Sequence, residues 1–142
     1  MKNKIKTPPA KYNPVLIQIN SMKSHYPNFK HHYDKEGNLF FVGVVQPSLT
    51  MPIYTISVEY RKNLMPKVKI VEPLLVEKPP HYYYKQGCLC LYKPANFNWT
   101  ATKPISTYIV SWTTCWLYFY EVWKEKQEWL GPEAEHNQIN KE

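Results

Sequence analysis

Glycine is scarce in this 142-residue chain, with four residues against thirteen prolines. That balance suggests an ordered chain with many fixed turns and edge segments. A glycine-rich phosphate loop is missing, which argues against nucleotide hydrolysis. Aspartate occurs once, at Asp34, so a Ser/His/Asp triad is hard to build. The three cysteines, Cys88, Cys90 and Cys115, form no even disulfide framework. No run reaches the roughly 18 apolar residues that span a bilayer. The closest, residues 105–122, is interrupted by Ser111, Thr113, Thr114 and several tyrosines. Met1 to Lys11 is lysine-rich with no apolar segment behind it, unlike a signal peptide. These absences predict a cytoplasmic protein with free thiols and no membrane contact.

What is present points to one folded domain. Apolar residues make up 44% and aromatics 15% of the chain, too apolar for intrinsic disorder. A domain of this size buries roughly two-thirds of its unfolded surface and needs no staples. The net charge of +7 is uneven: residues 1–33 hold six lysines and no acid, and residues 121–142 hold six glutamates and three lysines. A basic front end attracts nucleic acid, anionic lipid or an acidic protein. The plainer reading is a solvated terminus. We expect a flexible basic arm over 1–12, a domain over 13–136 and a polar tail over 137–142.

The pattern along the chain is helix, strands, loop, helix. Residues 13–28 predict a short helix limited by Pro27, although residues 15–19 also alternate like a strand. Residues 38–45, 54–60 and 67–71 read as strands. The short turns between them favour an antiparallel meander. Residues 72–102 show little regular pattern, and long irregular loops are often functional. Residues 104–126 predict a long helix, with Pro104 in its first turn. Its stripe of Ile105, Tyr108, Ile109, Trp112, Trp116, Phe119, Tyr120 and Trp123 reads as a core face rather than a cofactor box.

Candidate chemistry centres on Gln86-Gly87-Cys88-Leu89-Cys90-Leu91-Tyr92. A cysteine between apolar neighbours is commonly a small buried hydrophobe. A nucleophilic thiol instead needs partial exposure and a neighbour that favours thiolate. His81 lies nine residues upstream of Cys90, and Lys85 and Lys93 add positive potential. Zinc wants paired ligand spacings that the chain does not offer, so neither a metal nor a cofactor is expected. His31-His32 reads as a surface pair in a polar turn, and His136 on its own is a tail residue.

The order of elements resembles that of the ubiquitin-conjugating enzymes. Tyr60 followed by Met65-Pro66-Lys67-Val68-Lys69-Ile70 looks like the family's "YP…PPKVKF" strand. Pro80-His81 followed by Gly87-Cys88-Leu89-Cys90-Leu91 looks like its "HPN…NGxICL" segment. Cys90 falls on the active-site cysteine and Cys88 on a variable position, and Trp99 resembles the tryptophan ahead of the following helix. Bacterial members of the superfamily are the closer likeness. It runs through Gly43, Gln46-Pro47, the Trp112…Trp116-Leu117…Tyr120-Glu121…Trp123 helix and Trp129…Gly131-Pro132-Glu133…His136. Such proteins occur in cyclic-oligonucleotide antiphage signalling (CBASS) operons. The match covers roughly residues 37–136. One departure stands out: Tyr82 and Tyr83 follow His81 where the family has Pro-Asn. Asn96, Asn98 or a backbone N–H are candidate substitutes for the asparagine, since an oxyanion needs only a positioned donor.

The resemblance implies an α+β, UBC-like fold: N-terminal helix, antiparallel meander, active-site loop, C-terminal helix. It implies that Cys90 carries the C-terminal carboxyl of a modifier protein as a thioester and passes it to a target amine. His81 or His136 would deprotonate the amine or orient the loop. By resemblance the modifier is a CBASS nucleotide cyclase of the CD-NTase type. No adenylating domain fits in 142 residues, so a separate activator is expected. Two competing readings are a catalytically silent scaffold of the same fold and a basic nucleic-acid-binding protein. The latter is weakened because the lysines cluster in the arm and most aromatics are periodic core candidates.

Overall fold

The computed structural model describes residues 13–133. The basic arm, the polar tail and His136 lie outside the described residues. The first helix, α1, spans Pro14–His25. Its start is set by two neighbours. The Asn13 side chain accepts the Leu16 N–H at 3.2 Å, and Pro14 takes the first helical position. Both are strong start signals, and they override the strand-like alternation of residues 15–19. The helix stops at Tyr26, whose N–H bonds to the Met22 carbonyl.

Four antiparallel strands follow in the order β1-β2-β3-β4. They are β1 (Lys30–Tyr33), β2 (Leu39–Val45), β3 (Tyr54–Arg61) and β4 (Leu64–Glu72). The meander was expected, but β1 was not. All four of its residues are exposed, so it lacks the apolar alternation that marks a strand. His31 and His32 are on the surface as expected, yet on this edge strand rather than in a turn. A polar, lysine-bearing edge strand resists pairing with other chains. Asp34 folds the next turn by accepting the N–H groups of Glu36 and Asn38 at 3.0 and 2.8 Å. These bonds, chiefly that from Asn38, hold its carboxyl below the usual range.

β3 alternates as its sequence demands, with Tyr54, Ile56, Val58 and Tyr60 buried. β4 begins three residues ahead of the expected Lys67. Glu59 pairs with Lys67 and Arg61 with Leu64, so β4 has one extra residue there. The bulge holds Met65-Pro66, where a proline without an N–H is tolerated in a ladder.

The second helix, α2, spans Ile105–Lys126. Pro104 is its N-cap, one position outside the expected first turn. The predicted stripe is the core face: Ile105, Ile109, Trp116 and Tyr120 are buried. They join Phe41, Ile56, Val58 and Met22 in one cluster. The Tyr54 hydroxyl donates to the Glu121 carboxylate, fastening β3 to α2. The architecture is α+β and matches the UBC-like expectation. Among the described residues no helix is long and apolar enough to cross a membrane.

One buried polar side chain joins the two helices. Gln18, 1% exposed, donates to the carbonyls of Ala101 and Lys103 at 3.0 and 2.7 Å. Its Oε1 accepts the Ile105 N–H at 2.9 Å. That N–H belongs to the first turn of α2, where no partner exists within the helix. Gln18→Leu keeps the volume but strips partners from these buried groups. The expected loss is about 2–4 kcal/mol, read from urea unfolding midpoints. A loss below about 0.5 kcal/mol would show that water replaces the amide.

Candidate active site

The stretch of residues 72–102 is less irregular than its sequence suggests. A small hairpin pairs β5 (Tyr82–Tyr83) with β6 (Cys88–Leu89). Gly87, at φ 68°, takes the left-handed position that its turn requires. The hairpin is too short for a sequence period to register. It places Tyr83 opposite Cys88 and brings both close to the residue that leaves β6, Cys90.

Cys90 is held through its backbone. Its N–H donates to the His81 carbonyl at 2.9 Å. The same carbonyl accepts the Trp116 indole N–H from α2 at 3.0 Å. His81 adopts a left-handed backbone, φ 54°. Residues other than glycine rarely adopt this conformation, and they hold it only where their surroundings impose it. Here the two bonds to its carbonyl do so. Cys90 and His81, both expected as site residues, therefore meet at one place.

They share a narrow apolar pocket of about 40 Å³, walled by Trp112, Trp116 and Phe119 of α2 and by Trp129. The stripe read as a core face thus also forms one wall of the site. After α2 the chain turns back over this pocket. Gly131 lies against Phe119, and a Cβ at Gly131 would meet that ring at 2.6 Å. The turn sets the Trp129 ring 4.9 Å from the His81 ring and brings the Glu133 carboxylate to 3.7 Å from His81 Nε2. Cys115, exposed on α2, lines the same pocket.

The environment of the thiol differs from expectation. Cys90 is 4% exposed. Burial pushes its pKa up, the Tyr83 hydrogen bond pulls it down, and Cys88 adds a smaller upward push. The expected positive potential acts instead on Cys88, where Lys67, Arg61 and Lys69 oppose the effect of burial. Lys85 and Lys93 are not among the causes at either thiol.

Tyr83 is the residue that sequence reasoning missed. Its hydroxyl lies 3.3 Å from Cys90 Sγ. It donates to a thiolate and accepts from a thiol. Burial first, then the bond to Cys90, pushes the Tyr83 pKa up, so the phenol keeps its proton. The clue was its position two residues after His81, where the family motif has asparagine. Asn96 and Asn98 are exposed and line neither this pocket nor the groove beside it. Among the described residues no three His, Cys, Asp or Glu side chains are grouped to hold a metal ion.

Two variants read this chemistry out. Tyr83→Phe removes a contact that favours thiolate, so the pH midpoint for Cys90 alkylation by iodoacetamide should move up from the wild-type value. Trp129→Ala opens the cover and should speed alkylation at pH 7.5 by about tenfold, consistent with exposure controlling thiol reactivity. Peptide mapping assigns the label. An unmoved midpoint in the first variant, or an unchanged rate in the second, contradicts these roles. Because the Cys90 pKa is raised on folding, its stabilising effect is complete below the unfolded thiol value of about 8.5. It is lost as pH rises through the folded value.

The model of the family described as Type II CBASS E2 protein matches residues 18–137. No curated protein matches the chain. The chain belongs to the Type II CBASS E2 family, which makes it an E2-like protein of antiphage defence working with other CBASS components.

Proposed function

We propose that this E2 carries an acyl group on Cys90, taken from the C-terminus of a modifier protein and delivered to an amine. The observation that supports this most is the Tyr83 hydroxyl, 3.3 Å from Cys90 Sγ, in a site that also holds His81. A separate activating protein supplies the carboxyl already joined to a leaving group, as an adenylate or a thioester. The Cys90 thiolate attacks that carbonyl, a C–S bond forms, and the leaving group departs. A target amine then attacks the thioester, the C–S bond breaks, and the amine's proton returns to sulfur or passes to a base. The result is an amide. Sulfur leaves readily, yet the thioester survives long enough to be carried.

Each residue has a defined part. Tyr83 donates to the thiolate, and to the oxygen that gains charge when the carbonyl is attacked, in place of the family's asparagine. The His81 backbone holds the Cys90 N–H, and its ring, or that of His136, takes the amine's proton. The modifier in this reading is the CD-NTase nucleotide cyclase of the system. The target is a protein amine.

The burial of Cys90 favours a second reading, a silent scaffold that binds the cyclase without chemistry. One experiment separates the two. The protein is incubated with its operon partners and ATP, and intact mass is followed with and without a reducing thiol. The carrier reading expects a thiol-sensitive adduct lost in Cys90→Ser and kept in Cys88→Ser. Loss in Cys88→Ser alone moves the nucleophile to Cys88. A partner complex that forms with no adduct in any variant supports the scaffold.

A further inference from the structure

The geometry points to a second binding site, a basic groove beside Cys90 that takes an acidic, extended C-terminal segment of the acyl donor. This rests on the reading of Cys90 as the acyl carrier. The groove lies between β4 and the β5–β6 hairpin and encloses about 430 Å³, room for a few residues of extended chain. Arg61 and Lys67 stand on its sheet side and Lys93 on the other. Arg61 is the chain's single arginine. Its Nε is anchored on the Met65 carbonyl at 2.8 Å, so the guanidinium is held in place rather than swinging freely.

The cations of the groove are not tied up in ion pairs. Among the described residues no carboxylate forms an ion pair with Arg61, Lys67 or Lys93. Glu59 faces Lys67 across the ladder without bonding to it. The cations of this wall are also felt at Cys88, within the groove. The lining between the charges is aliphatic, from Met65, Pro66, Leu89 and Leu91. Such a surface suits a peptide with acidic and apolar side chains in turn. It lacks the row of stacking rings that single-stranded nucleic acid uses.

The groove reaches the reacting atom through Tyr83, whereas the Cys90 side chain itself lines the His81 pocket. Leu89 and Leu91, the neighbours of Cys90, both line it. So does Tyr83, whose hydroxyl reaches Cys90 Sγ. The acyl carbon must sit at that sulfur, so the residues preceding it in the donor occupy the space leading there. An attacking amine has to approach the face of the carbonyl from outside the acyl plane. In this proposal the His81 side takes the acceptor and the groove the donor.

The test uses synthetic peptides of one length and one C-terminal residue, made as thioesters of a small thiol. One carries glutamates, one lysines and one neither. Acyl exchange onto Cys90 releases the small thiol and is followed by intact mass. The glutamate peptide should react roughly tenfold faster than the neutral one at low salt, and the gap should close at high salt. Lys67→Glu with Lys93→Glu should erase the preference, read as the ratio of the glutamate peptide's rate to the neutral peptide's. Lys93 is exposed and outside the strands, so Lys93→Glu alone should halve the advantage or more if the double variant folds poorly. Equal rates for the three peptides, or a preference that survives these changes, overturns the proposal.

A binding arm keeps it distinct from the carrier reading. Fluorescent free-acid peptides are titrated into Cys90→Ser. The glutamate peptide should bind, and the groove variants should weaken it. Binding without faster acylation overturns the donor assignment and makes the groove an acceptor site. A single-stranded oligonucleotide that outcompetes the peptide overturns the occupant. If no peptide acylates Cys90, the carrier reading fails, and absence of binding then overturns the groove as well.

Discussion

A single carbonyl oxygen organises the site. That of His81 accepts the Cys90 N–H at 2.9 Å and the Trp116 indole at 3.0 Å. One bond holds the loop strand that carries the thiol, and the other holds the long helix. This shared acceptor ties the segment around Cys90 to α2, beside the Val76–Tyr120 bond and the packing of Leu89 in the core. Both donors are buried residues, and a buried donor left unsatisfied costs about 1–3 kcal/mol, so the arrangement is strongly preferred. The left-handed backbone of His81 follows from it. So does the placement of the next two residues, Tyr82 and Tyr83, as a strand beside the thiol.

Tryptophan and tyrosine are used along α2 for their polar ends as well as their area. The Trp116 indole reaches His81, and the Tyr120 hydroxyl accepts the Val76 N–H at 2.8 Å. Leucine would fill similar space but could hold neither loop contact. The same face thus packs the sheet and steadies a segment that has little secondary structure of its own. It also encloses Cys90 in apolar surroundings, which raise its pKa. The Tyr83 hydrogen bond opposes that rise.

Much of the framework was legible because it repeats. β3 alternates and α2 carries a helical stripe, and both were recovered with nearly correct ends. β1 was not, because Lys30-His31-His32-Tyr33 lies on an exposed edge with no buried face to create a period. The β5–β6 hairpin escaped for a related reason, being only two residues per strand. Cys90 and His81 were singled out through a motif, and the structure brings them together. Tyr83 was visible in the same motif but was read as a missing asparagine, since distance to sulfur is a property of the fold. The electrostatic expectation at Cys90 failed likewise. Nearness in sequence favoured Lys85 and Lys93, whereas the cations that matter sit on β3 and β4 and act on Cys88.

Gln18 sets a condition on the order of assembly. Its partners, Ala101, Lys103 and Ile105, lie 83 to 87 residues later in the chain. On a translating ribosome α1 emerges long before any of them, so the Gln18 amide has none of these partners until the start of α2 has left the exit tunnel. Contacts this distant are slow to form because the loop entropy must be overcome first. The meander is then expected to form before α1 is locked in place by the Gln18 bonds.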